Sequence, residues 1–107
     1  MTKPILIAEK KEVFEGEVVK LRCELPEEVP PLYFVFQKMK MNSTPKQKFQ
    51  EELYRNFSVV EFPVDEGDDI LQFDCFGKRR VRFEFETSLT SNKTLITVKG
   101  KFLSFSF

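Results

Sequence analysis

A chain of 107 residues fits one domain of ordinary size with a small core of its own. It carries 13 Phe but no His or Trp, which excludes chemistry resting on a histidine base and every His-ligated metal site, and its two Cys alone cannot close a tetrahedral thiolate site. Basic and acidic residues balance at 17 each, so no global field recruits nucleic acid or an anionic membrane.

From the N-terminus, residues 1–3 read as added or linker residues and 4–99 as the folded domain. MTKPILIAEKK lacks the basic start and long apolar stretch of a signal peptide, and no apolar run approaches the roughly 20 residues that span a bilayer. PILIA (4–8) reads as an edge strand, where a leading proline is tolerated. Glu15-Gly16 turns the chain into Val18–Glu24, where Val19, Leu21 and Cys23 alternate with Lys20, Arg22 and Glu24, the two-residue beat of a half-buried strand. PEEVPP (26–31) is a stiff loop. In LYFVFQ (32–37), Leu32, Phe34 and Phe36 face inward, with Tyr33 and Val35 on the opposite face. Lys38–Met41 reads as a short polar strand and 42–47 as a loop, while KFQEELYRN (48–56) fits a helical turn or a ragged edge.

Further along, Ser58–Val64 is a strand and DEGDD an acidic turn. DDILQFDCF comes next, its Leu71, Phe73 and Cys75 sharing one parity. Gly77-Lys78 reads as a hairpin tip. Val81–Glu86 alternates cleanly, and KTLITV (93–98) is one more strand, the two together reading as a last strand broken at TSLTSN. KFLSFSF, apolar on both parities, places 100–107 in a linker or the start of a following domain. Seven or eight short strands with frequent turns predict an all-β sandwich.

Cys23 and Cys75 each end an apolar row on separate strands. Two inward-facing cysteines 52 positions apart point to a bridge between two stacked sheets; two buried free thiols are the alternative. The three asparagines, Asn42 (NST), Asn56 (NFS) and Asn92 (NKT), each open an N-glycosylation acceptor. All three matching favours the secretory route, with the asparagines expected on exposed loops or outward faces. Met1 then reads as an added start on an excised domain.

The V-x-L-x-C run of Val19, Leu21 and Cys23, preceded by Gly16, and the L-x-F-x-C run ending at Cys75 resemble strands B and F of an immunoglobulin domain. Thr94–Val98 resembles the family's strand G, and the cysteine spacing is similar to that of C2-type domains. CELPEE, NFSVVEFPV and DDILQFDC are similar to the second Ig-like domain of an endothelial adhesion receptor, and VFEGEVVKLRC to Fc receptor-like leukocyte receptors. The resemblance implies an immunoglobulin-like β-sandwich of C2/I type with one inter-sheet disulfide. Two positions depart from the family pattern. The strand-C tryptophan is absent, so Phe34 or Phe36 must pack on the bridge. The tyrosine two residues before the second cysteine is Phe73, which removes a hydrogen bond worth on the order of 1 kcal/mol.

The residues point to a binding module without chemistry of its own. DEGDD lacks EF-hand spacing, adjacent acids such as Glu51-Glu52 do not span a catalytic cleft, and neither a cofactor nor a metal is implied. The resemblance implies an extracellular domain of a cell-surface adhesion or immune receptor, tethered to the membrane only through other parts of its full-length chain. Its partner would be a protein ligand met on a sheet face, homophilic contact included, with Tyr33, Val35, Arg80 and Arg82 as candidate interface residues. The basic run Lys78, Arg79, Arg80, Arg82 also makes a sulfated glycan a weaker candidate contact. The competing reading is an intracellular structural Ig module of the muscle-filament type, with reduced thiols and no sugar.

Overall fold

The structure, a computed structural model, describes residues 1–40 and 47–100. Among the described residues nine strands run β1 (Ile5–Ala8), β2 (Glu12–Phe14), β3 (Val18–Glu24), β4 (Leu32–Lys40), β5 (Gln47–Leu53), β6 (Phe57–Pro63), β7 (Ile70–Val81), β8 (Glu84–Thr87) and β9 (Thr94–Lys99). They form two sheets, β1-β3-β6 and β2-β9-β7-β4-β5, with β8 also paired to β7, and no helix occurs among the described residues. Asn42 and KFLSFSF, from Lys101 on, lie outside the described residues.

The alternating rows meet in the middle as expected. Val19, Leu21 and Cys23 of β3 face Leu71, Phe73 and Cys75 of β7, with Leu32, Phe34 and Phe36 of β4 beside them, all buried. Each large side chain so buried contributes about 1.5–3 kcal/mol. Cys23 and Cys75 are bonded, their Cα atoms 6.4 Å apart, so the bridge joins the two sheets at their centre. Phe36 lies opposite Cys75 in register, and Phe62 of β6 fills the adjoining space, 6.4 Å from the Phe36 ring and 5.2 Å from that of Phe73. Three tilted phenylalanines thus pack around the bridge.

Four features depart from the sequence reading or decide between its alternatives. The first is β2. After β1 pairs antiparallel with β3, the chain crosses to the other sheet and β2 runs parallel to β9. Gly16, at φ 88°, then turns it back into β3. The second is β4, one nine-residue strand through Lys40 rather than two pieces. Third, residues 47–53 are strand β5, the exposed edge beyond β4, whose charged side chains discourage pairing with another chain.

The fourth concerns the hairpin. Gly77-Lys78 is not its tip: β7 continues to Val81, the turn is Arg82-Phe83, and β8 returns with Arg79 opposite Glu86 and Arg80 opposite Phe85. Gly77 is needed for a different reason. A Cβ there would lie 2.2 Å from Leu25 Cδ1, so any side chain would force the buried Leu25 to shift.

The break between β8 and β9 is real, and serine hydroxyls fill it. Ser88 N–H donates to Gly77 O while Gly77 N–H donates to Ser88 Oγ; Ser91 and Cys75 repeat the exchange, all at 2.8–2.9 Å. Each hydroxyl stands in for a backbone carbonyl, which lets the chain bulge without orphaning β7's buried amides.

Candidate functional site

The hairpin end sorts its charges by strand parity. Arg79 turns to one face and is neutralised there: its guanidinium meets Glu86 at 3.0 Å and Glu28 at 3.3 Å. The hydrogen bond from Arg79 holds the Glu86 carboxyl below its usual range, and the backbone N–H of Thr2 does the same for Glu28. Arg79 therefore ties the hairpin to the proline loop and to the chain's first residues.

The opposite parity faces outward. Tyr33 and Phe85 meet edge-on, ring centroids 5.3 Å apart. Lys78 Nζ lies 5.5 Å and the Arg80 guanidinium 5.7 Å from the Phe85 ring centre, within cation–π range. A carboxylate, Glu52 of β5, accepts from the Tyr33 hydroxyl and pushes the phenol's pKa up. Beside this group Val29, Pro30, Pro31, Tyr33, Glu52, Arg79 and Arg80 border a shallow cleft of about 320 Å³. At the tip Arg82 sits at φ 58° and Phe83 is 94 % exposed, the most exposed large apolar side chain in the described chain.

Of the four candidate interface residues, Tyr33, Arg80 and Arg82 thus gather at one end of one face. Val35 does not join them as a surface residue, being only 2 % exposed. It does point away from the core row, but Phe76 stands directly opposite it on β7 and Gln50 on β5, and Lys78 Nζ reaches over to Gln50 Oε1 at 3.5 Å. A central strand flanked by long side chains is covered on its outer face as well. Phe83 and Phe85 were missed, because VRFEFE alternates through the turn without a Gly, Asn or Pro to mark it. The one signal present was charge symmetry about Arg82-Phe83, with Arg79-Arg80-Val81 mirrored by Glu84-Phe85-Glu86.

Of the two described sequons, Asn92 lies on an exposed connection as expected and Asn56 does not. The Asn56 side chain is half-buried and turned inward, its Nδ2 donating to Leu25 O at 2.9 Å and to Glu28 O. Asn92 lies on the exposed connection before β9, yet its amide exchanges hydrogen bonds with both backbone groups of Leu6, at 3.1 and 3.2 Å. It closes the free edge of β1 as a neighbouring strand would. Both hydroxyl residues of these sequons, Ser58 and Thr94, are buried.

The acidic turn is likewise committed to the fold. Asp68 accepts from Asp65 N–H at 2.8 Å and pairs with Lys40 at 3.0 Å. Burial alone would raise its pKa, but the hydrogen bonds from Lys40 and Asp65 and the charges of Lys40 and Lys38 outweigh burial and hold it below the ordinary value. Among the described residues no cluster of acidic or cysteine side chains is arranged to hold a metal ion.

No protein-family model matches the chain. Curated relatives do. Over 104 residues, 95 % of this chain, it is 34 % identical to the platelet endothelial cell adhesion molecule of Sus scrofa, and equally so to that of Bos taurus. The Mus musculus protein is 32 % identical over 103 residues. The chain is an immunoglobulin-like domain resembling part of that adhesion molecule. It spans 14 % of the length of each of these relatives, one domain's share of a much longer protein. Within the immunoglobulin-like domain, the Tyr33–Phe85 group crosses three adjacent strands (β4, β7 and β8) at the end where the proline loop and hairpin meet.

Proposed function

We propose that this immunoglobulin-like domain serves a cell-surface adhesion or immune receptor on its extracellular side and binds a protein ligand, without catalysis. Contact is made by the outer face of the larger sheet at its hairpin end, a like domain being one candidate partner. The observation that carries this reading is the Tyr33–Phe85 pair with Lys78 and Arg80 packed on it and Phe83 left open to water. Aromatic and arginine side chains already held in place lose little freedom on binding, and such residues dominate interface energetics. The adhesion-molecule relatives support the same class of partner.

The test uses the domain as a soluble multimer applied to leukocytes and endothelial cells before and after surface proteolysis, with domain-coated beads reporting self-adhesion. The expected result is protease-sensitive binding, reduced at least tenfold by Tyr33→Ala with Phe83→Ser. Binding that survives both changes in a folded domain refutes the assignment. We propose Asn92, exposed, as a better glycan carrier than half-buried Asn56, and Asn42 as the third acceptor; glycopeptide mapping after secretion from mammalian cells reads all three.

A further inference from the structure

The outward charges of the hairpin are uncompensated, in contrast to Arg79. Among the described residues no salt bridge engages Lys78, Arg80 or Arg82; Glu28 and Glu86 are taken by Arg79, Glu52 accepts from the Tyr33 hydroxyl, and Glu84 stands opposite Val81 on the other face of the hairpin. The cations flank two exposed rings, Phe85 at 46 % and Phe83 at 94 % exposure. Resting on the protein-docking reading above, we infer that this end of the domain takes an acidic protein segment, one that offers carboxylates to Lys78, Arg80 and Arg82 around an apolar side chain seated on Phe83 and Phe85.

Charge complementarity selects this occupant. A neutral partner would bury three cations unpaired, which is costly at an interface. A sulfated glycan would pair the cations, but it offers no apolar group to match Phe83 and Phe85. The frame is stiff enough to keep its shape: Arg79 ties the hairpin to the proline loop, and Ser88 ties its base to Gly77.

The experiment is an NMR titration of the intact domain with a short peptide bearing several Asp and Glu residues around a central Leu-Phe pair. Its Asn/Gln counterpart, a heparin oligosaccharide and phosphatidylserine vesicles are the comparison probes. The acidic peptide is expected to shift the signals of Tyr33, Lys78, Arg80, Phe83 and Phe85, with affinity falling as salt rises from about 50 to about 300 mM. The Asn/Gln peptide should bind at least tenfold more weakly. Lys78→Glu with Arg80→Glu should lose at least tenfold in affinity for the acidic peptide, and Phe83→Ser should weaken both peptides, all with an unchanged amide spectrum elsewhere. Equal binding of the two peptides overturns the acidic partner and leaves protein docking standing. Heparin or vesicles binding at these residues while neither peptide does overturns both, as does the absence of binding by every probe.

Discussion

The two ends of β7 look alike as sequence, a charge run beside a turn glycine, and behave in opposite ways. At the DEGDD end the key charge is folded in: Asp68 is held by Lys40, by the N–H of Asp65 and by the field of Lys38. At the GKRRVR end only Arg79 is folded in, and Lys78, Arg80 and Arg82 are left facing solvent over aromatic rings. The difference comes from burial. A carboxylate that enters the sandwich must be paired, whereas cations on a projecting hairpin are solvated and need no partner in the fold. One end is committed to the fold and the other is left solvated.

The largest change comes from cutting the strand's midpoint. Replacing Cys23 and Cys75 together by Ala removes a link closing a loop of 52 positions and lowers stability by about 4 kcal/mol in the chain-entropy account. Denaturant unfolding measures this. Amide exchange should rise at both ends of β7 together, since the bridge supports both; a rise at one end alone would show that the ends are independently anchored. Next is Gly77→Val, which drives a side chain into Leu25 at the hairpin end and costs up to about 3 kcal/mol. Exchange should then increase around Leu25 and Lys78 and leave Asp68's turn protected.

The legibility of the two ends in the sequence was also unequal. The bridge, the core rows of β3 and β7 and the strand at Thr94–Val98 were readable because burial on one face imposes period two, whereas Val81–Glu86, read as one strand, is the end of β7, a turn and the start of β8. The hairpin tip was not, since cross-strand alternation continued straight through Arg82-Phe83. Nor was β2: three residues are too few to show a period, and its pairing with β9 is set by where the sheets pack. Val35 was misjudged as exposed because alternation tells which face a side chain takes, not what lies above it. The inward turn of Asn56 depends on carbonyls of Leu25 and Glu28, far off in sequence, and no local pattern announces it.

Asp68→Asn tests the structural end alone. Its depressed carboxyl pKa means that the ion pair stabilises the fold above the ordinary carboxylate value near 4 and loses that contribution as pH falls through the lower, folded-state value. The variant should lose about 1.5 kcal/mol at neutral pH. Its stability should then fall less steeply than the parent's between about pH 4 and pH 2. Thermal melts across that range measure both effects. Docking by the hairpin should be unchanged, and a loss of docking here would mean that the two ends of β7 are coupled.

The smallest effect is the most discriminating for the free end. Arg82 occupies the left-handed region at φ 58°, where a side chain with a Cβ is disfavoured by about 1–2 kcal/mol relative to glycine. Glycine's extra freedom in the unfolded chain gives back roughly 0.4–1 kcal/mol. Arg82→Gly should therefore raise stability slightly, by about 0 to 1.6 kcal/mol. A residue kept where the fold would prefer glycine points to a use outside the fold. The same variant should weaken binding of the acidic peptide severalfold while melting at the same or a higher temperature. If stability fell instead, Arg82 would belong with Arg79 among the residues that hold the hairpin, and the basic tip would be one cation smaller.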